Sequence, residues 1–198
     1  MRASGTIIAV VSTLSLASAI PTASLTKLAS RADPADDPRG NYIVSGLGAR
    51  KQEVTGAGAD TLALAVAMLE TDNMSTTYAY GDNKQDDASN FGIFKQNWGM
   101  LRECCTQFQG LTEADWNNGA VLNTDLNADV ACLNECRSYY GVDKWLGGHR
   151  DGSTGLADPT LEVVVDYKAG IEWIQAQIEA NPTGLTDDTR FWVQIQAI

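Results

Sequence analysis

The feature that most constrains the fold is an uninterrupted apolar run, Leu62 to Leu69, with the sequence LALAVAML. Asp60 precedes the run at the position of a helix N-cap, and no glycine or proline interrupts it before Glu70. A helix of this composition has no polar face to turn toward water, so the rest of the domain must surround it. The sequence therefore predicts a buried central helix that ends in the carboxyl group of Glu70.

Glu70 has two interpretations. The simpler one is a glutamate that marks the point where the helix leaves the core for solvent. In the functional one, the negative end of the helix dipole and the apolar neighbours favour the protonated carboxyl group. A protonated carboxyl group near neutral pH is what a general acid needs to protonate a glycosidic oxygen.

The segment after Glu70 predicts one arm of a small β-hairpin. Thr76 to Tyr80 alternate in polarity and are followed by a turn, Gly81-Asp82-Asn83. Asp82 could bond its own backbone in an Asx turn, or it could face Glu70 across a cleft as a second carboxylate. Spacing alone does not separate it from three neighbouring acids: Asp72, Asp86 and Asp87.

Two further helices are predicted, over residues 125–140 and from Asp158-Pro159 to Asn181-Pro182, from apolar side chains at helical spacing. The remaining segments offer little regular β-structure. The sequence therefore predicts a mostly helical α+β fold in a single domain, with one small β-hairpin beside the helix that carries Glu70.

The N-terminal residues predict export. Residues 1–19 have the basic start, short apolar stretch and small-residue cleavage site of a signal peptide. Residues 20–40 lack periodicity and are typical of a propeptide or flexible leader, with Arg31 as a candidate processing point. We expect the catalytic domain to occupy residues 41–198 and the mature protein to be secreted and extracellular.

The net charge limits the partners of the protein. The whole chain carries −11, and cleavage after Arg31 would leave 11 basic and 25 acidic residues, a charge of −14. A field of this sign repels nucleic acid and anionic membranes. We expect a neutral partner, no nucleic acid, no membrane, and a monomeric protein.

Four cysteines in an exported chain are expected to be oxidised. Cys104 and Cys105 are adjacent, so a bridge between them would need a strained ring. Cys132 and Cys136 lie one helical turn apart, where a bridge would constrain little. We predict two bridges between the pairs, with the partner of each sulfur left open. The spacing does not fit a zinc site, and His149 is the only histidine, so no metal or cofactor is expected.

Three stretches together resemble the endo-β-1,4-mannanases of glycoside hydrolase family 134: LALAVAMLETDNM, TTYAYGDNK and ASNFGIFKQNW. The resemblance extends over about residues 43–198. It implies a secreted single domain with a lysozyme-like fold and an inverting mechanism. By position, it implies that Glu70 is the general acid and Asp82 the general base, and that the substrate is β-mannan and mannooligosaccharides.

A polysaccharide cleft requires flat apolar surfaces and planar amides. The segment after the predicted hairpin supplies Asn90, Gln96, Asn97 and Trp98, although Trp98 could equally belong to the core beside Phe91 and Phe94. A glycine-rich stretch, KWLGGHRDG, predicts a loop that carries further contacts. The predicted substrate-binding residues are therefore Asn90, Gln96, Asn97, Trp98, Trp145 and His149.

Two alternatives remain open at this stage. A lysozyme-like muramidase would use a similar fold and acid, but bacterial cell walls are anionic and the charge of the protein opposes binding to them. A non-catalytic secreted glycan-binding module would have no need for Glu70 together with Asp82.

Overall fold

The computed structural model describes residues 38–195, so the predicted signal peptide, nearly all of the predicted leader and the last three residues lie outside the described part. Six α-helices and four β-strands lie within residues 38–195: β1 Arg39–Ile43, α1 Leu47–Gly56, α2 Thr61–Glu70, β2 Asn90–Phe91, β3 Gln96–Asn97, α3 Trp98–Cys104, α4 Leu126–Tyr140, α5 Val142–Ala157, α6 Glu162–Ala180 and β4 Thr189–Val193. Short 3₁₀ helices connect several of them: Tyr80–Asn83, Asp86–Ala88, Thr106–Phe108 and Glu113–Asn123. The predicted mostly helical α+β fold is confirmed.

The central helix is α2, as the apolar run predicts. Its residues 63–68 are completely buried, and the Asp60 side chain caps the first turn by accepting a hydrogen bond from the Ala63 amide at 2.9 Å. The helix packs mainly against α6 and also contacts β4. A helix buried on every side gives Glu70 a fixed point of departure from the core.

Arg190 in β4 anchors the last turn of α2. Its guanidinium donates to the carbonyl of Met68 at 2.6 Å and to the carbonyl of Thr71. Carbonyls at a helix C-terminus lack partners within the helix, and a buried cation satisfies them. The antiparallel pair of β1 and β4, in which Asn41 lies opposite Phe191, holds this arginine in place.

The β-hairpin lies one segment later than predicted. Residues 75–79 form no strand, and Asp82 belongs to a 3₁₀ helix. The side chains that alternate along this segment contact distant groups: Thr76 donates to the Asn123 carbonyl and Tyr78 to the Gly92 carbonyl. The hairpin is instead β2 and β3, with Asn90 opposite Asn97.

Two disulfides join α3 and its end to α4. Cys104 is bonded to Cys136 and Cys105 to Cys132, with Cα atoms 4.7 and 4.9 Å apart, respectively. The predicted bridges between the two cysteine pairs are confirmed. They close loops of about 30 residues, a length at which a bridge strongly restricts the unfolded chain.

Two predictions about the C-terminal half need correction. The glycine-rich stretch at residues 144–152 is part of α5, which bends at Asp151 and Gly152, and is therefore no loop. Its glycines permit close packing across the bend, since a Cβ at Gly147 would lie 2.3 Å from the Gly155 carbonyl oxygen. The last long helix begins at Glu162, later than the predicted Asp158-Pro159 start, because Asp158 accepts a hydrogen bond from the Thr160 amide in a turn.

No helix within residues 38–195 has the length and apolar character needed to cross a membrane.

Candidate active site

The carboxyl group of Glu70 lies at the wall of a cavity and is held by a tyrosine. Its side chain is 19% exposed, and its Oε1 accepts a hydrogen bond of 2.6 Å from the Tyr167 hydroxyl. The imidazole Nδ1 of His149 is 3.9 Å from the same oxygen. One carboxyl oxygen of Glu70 is therefore fixed by protein groups while the side chain keeps access to solvent.

Tyr167 and His149 approach Glu70 from two different helices. The Tyr167 ring in α6 is buried and stacks on the His149 ring in α5, at 5.7 Å between centroids and 15° between planes. His149 Nδ1 lies 3.0 Å from the Tyr167 hydroxyl, and Nε2 lies 2.6 Å from the carbonyl oxygen of Phe94. Burial raises the pKa of Tyr167 well above its ordinary value, and the nearby Glu70 charge raises it further.

Asp82 lies in a turn with left-handed backbone geometry, at φ 60° and ψ 35°. Aspartate tolerates this region better than most side chains. The ammonium group of Lys95 donates to both carboxylate oxygens at 3.2 Å, and the Asn90 amide donates to Oδ2 at 3.3 Å. Both donors belong to the β2–β3 hairpin, so the hairpin fixes the direction of the Asp82 carboxylate.

Tyr78 lines the same cavity as Glu70 and lies beside Lys95, the residue that binds Asp82. Burial raises the pKa of its phenol, and the charges of Asp129, Asp82 and Glu70 raise it further. Its hydroxyl donates to the Gly92 carbonyl at 2.7 Å, and the Lys95 ammonium lies 4.9 Å from the ring centroid. Tyr78 therefore lines the same cavity as Glu70 and contacts the hairpin whose Lys95 binds Asp82.

Asp129 in α4 binds the β2–β3 hairpin through its buried carboxyl group. It is fully buried and accepts hydrogen bonds from the Ile93 amide and the Gln96 side chain, both at 2.7 Å. Burial raises the pKa of Asp129 to about 7, against the lowering effect of these bonds. Gly92 permits the contact, because a Cβ there would lie 2.0 Å from Asp129 Oδ1 and its φ of 77° disfavours other residues.

Two cavities lie beside the carboxylates. One, of about 260 Å³, is lined by Glu70, Tyr78 and Lys95 among others. The second, of about 590 Å³, is lined by Asn90, His149 and Arg150 among others. Asp82 belongs to neither lining, but it binds one lining residue of each cavity, Lys95 of the smaller and Asn90 of the larger.

The structure divides the predicted substrate-binding residues into two groups. Asn90, Asn97 and His149 line the larger cavity. Gln96, Trp98 and Trp145 are buried, with exposed fractions of 3%, 0% and 2%. A side chain buried to this extent offers no surface to a sugar, so these three side chains make contacts within the protein instead.

The contacts of the three buried side chains explain their positions. Gln96 donates to the backbone carbonyl and the carboxylate of Asp129, and the Trp98 indole donates to the Thr112 carbonyl at 3.1 Å. Trp145 packs on the His149 ring. The nitrogen donors of Gln96 and Trp98 are therefore used within the protein, while Gln96 Oε1 is buried without a hydrogen-bond partner.

The acids that competed with Asp82 in the sequence have other surroundings. Asp87 forms a bidentate pair with Arg102, with both distances at 2.7 Å. Asp72 lines the same cavity as Glu70, but its side chain is 87% exposed. Asp82 is the candidate whose carboxylate accepts bonds from both Lys95 and Asn90.

Sequence reasoning missed Lys95, Tyr78, Tyr167 and Arg190 as parts of the site. Lys95 and Tyr78 lie within the stretches that carry the family resemblance, so a closer study of those stretches could have found them. Tyr167 is 97 residues from Glu70, and nothing in its local sequence distinguishes it from a core residue.

Among residues 38–195, no group of three or more histidine, cysteine, aspartate or glutamate side chains is arranged to hold a metal ion. A comparison with curated proteins finds no match. A family model described as glycosyl hydrolase family 134 matches residues 48–195, which include Glu70, Asp82 and the residues that contact them. The chain therefore belongs to glycosyl hydrolase family 134.

Proposed function

We propose that this glycoside hydrolase cleaves β-1,4-mannosidic bonds within mannan chains by inversion, with Glu70 as general acid and Asp82 as general base. The observation that carries the proposal is a pair of carboxylates, each fixed by its own donors. Tyr167 holds Glu70 at the wall of the smaller cavity, and Lys95, which lines the same cavity, holds Asp82. Family membership supports the reaction class. The mannan specificity depends on the resemblance of the sequence motifs.

In the proposed reaction, Glu70 protonates the leaving glycosidic oxygen while Asp82 removes a proton from the attacking water. Lys95 and Asn90 hold the Asp82 carboxylate in one orientation. Because Asp82 would act through water and not by bonding to the sugar, we expect the two carboxyl groups to lie roughly 6.5–9.5 Å apart in the substrate complex.

The larger cavity offers side chains that can bind sugar hydroxyls. Asn90 and Asn97 present planar amides in the larger cavity, and such groups can bind pairs of sugar hydroxyls. The net charge of the chain favours a neutral polysaccharide over the anionic cell wall that a muramidase would attack. The disulfides suit the oxidising environment outside the cell, where we propose that the protein acts as a monomer.

A non-catalytic glycan-binding module is the second candidate, and the geometry of Asp82 opposes it. A non-glycine residue in the left-handed region costs about 1–3 kcal/mol and persists only where its surroundings hold it. Here the surroundings are a lysine and an amide directed at the carboxylate. A module that only binds sugars would gain little from this arrangement.

The test is a substrate panel. The secreted protein is incubated with linear mannan, cellulose and peptidoglycan, and the soluble products are separated by chromatography. Release of mannooligosaccharides of several lengths from mannan alone supports the proposal, and Glu70→Gln serves as the control for contaminating activity. Release of muropeptides would favour the muramidase, and binding to mannan without any products would favour the binding module.

A further inference from the structure

The hydrogen bonds around Glu70 restrict which atoms can carry a proton, because each bond needs one donor. The Phe94 carbonyl can only accept, so Nε2 of His149 must carry a hydrogen. The Tyr167 hydroxyl has one hydrogen to share between Glu70 Oε1 and His149 Nδ1. The bond that Tyr167 does not donate must therefore be donated to it.

Two arrangements satisfy every bond without moving a heavy atom. In the first, Tyr167 donates to the Glu70 carboxylate, and His149 carries hydrogens on both nitrogens. In the second, Tyr167 donates to a bare Nδ1, and a protonated Glu70 donates to the tyrosine oxygen. Both hold the same number of protons, and the 2.6 Å distance between Tyr167 and Glu70 is typical of a hydrogen bond to a charged oxygen.

We propose that Glu70, Tyr167 and His149 form a proton relay, in which Tyr167 and His149 are positioning residues that return a proton to Glu70 after each cleavage. This inference rests on the proposed role of Glu70 as the general acid. The relay combines the 2.6 Å bond to Glu70, the 3.0 Å contact with Nδ1 and the carbonyl that fixes Nε2.

The proton balance of one cycle is complete. Cleavage transfers the Glu70 proton to the leaving oxygen, and Asp82 takes a proton from the water whose oxygen bonds to the sugar. At this stage Nδ1 of the neutral imidazole is bare, and bulk water protonates it, which gives the first arrangement. Tyr167 then gives its hydroxyl proton to Glu70 Oε1 and receives one from Nδ1, which restores the second arrangement, and bulk water receives the proton that Asp82 releases.

The transfer through Tyr167 is concerted, because burial and the Glu70 charge raise the pKa of this phenol and oppose its ionisation. A half-turn of the Glu70 carboxyl group about its terminal torsion, which has a broad two-fold preference, then presents the proton to the cavity. His149 lines the larger cavity while Glu70 lines the smaller one, so recharging and donation face different spaces.

Other titratable and charged groups surround the relay. Arg150 lies 5.6 Å from the Tyr167 ring centroid, and other charged groups line the two cavities: Asp72, Lys95 and Arg190 in the smaller, and Lys84, Asp87, Arg102 and Asp151 in the larger. None of these side chains is removed when Glu70 or Tyr167 alone is changed. Differences between matched variants therefore isolate the relay.

The direct test uses the fact that the chain has one histidine. Labelling histidine with ¹⁵N gives signals for Nδ1 and Nε2 that come from His149 alone. These signals are followed by NMR from about pH 4 to 9, a range that spans ordinary histidine titration. In Glu70→Gln, the pH dependence of the Nδ1 signal should differ from that of the wild type, because the carboxylate at the end of the relay is lost. Tyr167→Phe should change it as well, and Tyr139→Phe, an exposed tyrosine on α4, should change nothing.

The neutral imidazole of the wild type should carry its hydrogen on Nε2. A neutral form with the hydrogen on Nδ1, or a pH dependence of the Nδ1 signal that is unchanged in Glu70→Gln, would overturn the relay. This measurement needs no substrate. A protein that cleaves no glycan would contradict the proposed function, while the NMR result would still decide the relay. A protein that cleaves mannan but shows no change at Nδ1 in Glu70→Gln would contradict the relay and leave the proposed function in place.

Kinetics give the second measurement. For Tyr167→Phe, we expect kcat to fall by about tenfold or more with KM unchanged, and the pH profile of kcat to change shape, because Glu70 is recharged by solvent alone. A profile that coincides with the wild type after scaling would assign Tyr167 a purely structural role and contradict the relay.

Discussion

Glu70 leaves the last turn of α2, a helix whose residues 63–68 are completely buried, whereas Asp82 lies in the short, kinked 3₁₀ helix Tyr80–Asn83. The end of α2 is anchored by backbone bonds and by Arg190. The Asp82 turn is held by side chains of the hairpin, chiefly Lys95 and Asn90. The proposed acid therefore depends on the core of the domain, and the proposed base depends on a few polar contacts.

The comparison implies that the two carboxylates respond differently to change. A perturbation near Glu70 has to disturb packed helices, so it should appear first as lost stability. A perturbation near Asp82 can alter the carboxylate direction while the core stays intact, so it should appear first as lost activity. The predictions below test this difference, beginning with the largest expected effect.

The largest effect should follow removal of either carboxyl group. Glu70→Gln and Asp82→Asn keep side-chain shape but abolish proton transfer, so turnover on mannan should fall by about 10²–10⁴-fold. Circular dichroism and urea unfolding should show folded proteins in both cases. A variant with turnover close to that of the wild type would show that its carboxyl group has no part in proton transfer.

Arg190→Met should act mainly on stability. The substitution leaves carbonyls of Met68 and Thr71 without their buried donor, which should cost about 1.5–3 kcal/mol, the range for hydrogen bonds to charged groups. Urea unfolding measures this loss. If the variant kept wild-type stability, the end of α2 would not depend on this anchor.

Lys95→Met should act mainly on activity. It removes both ammonium bonds to Asp82, and we expect kcat to fall roughly tenfold, equivalent to about 1.4 kcal/mol of transition-state stabilisation. Methionine keeps the unbranched apolar stem of the lysine, and Asp82 keeps its bond from Asn90, so the unfolding midpoint should change little. A large loss of stability with normal kcat would reverse the distinction between the two regions.

Asp129 should give the hairpin a pH-dependent stability. Its folded pKa of about 7 lies above the ordinary value of 3.8, so the folded protein holds this proton where the unfolded chain has lost it. Stability should therefore fall as pH rises from about 4 to 7, and the loss should be complete above that range. Asp129→Asn lacks this contribution, so its stability relative to the wild type should rise with pH in urea unfolding. Parallel pH profiles would contradict the assignment.

The part of the molecule that local patterns could predict is the part built from regular elements. The apolar run gave α2 and the position of Glu70, and the spacing of the cysteines gave the bridges between α3 and α4. The sequence predicted the hairpin in the wrong segment, because the alternation of Thr76 to Tyr80 comes from contacts with Asn123 and Gly92 and not from pairing with a strand. Alternation records which way side chains point, but it does not identify what they contact.

The surroundings of the carboxylates could not be predicted for a similar reason. Tyr167 has the helical spacing of a core residue, and only the packing of α6 on α2 brings its hydroxyl to Glu70. Gln96 and Trp98 have side chains suited to sugars, but their partners, Asp129 and Thr112, lie 33 and 14 residues away. Contacts of this range depend on the folded arrangement of several elements.

The central claim is that Glu70 and Asp82 act as an inverting pair, and the configuration of the first product tests it most directly. Proton NMR of the anomeric signals, recorded early in the hydrolysis of a mannooligosaccharide before mutarotation, identifies that product. If Asp82 activates water, the α-anomer appears first from the β-linkage. A β-anomer formed first would mean that a carboxylate attacks the sugar directly, and it would contradict the proposed mechanism.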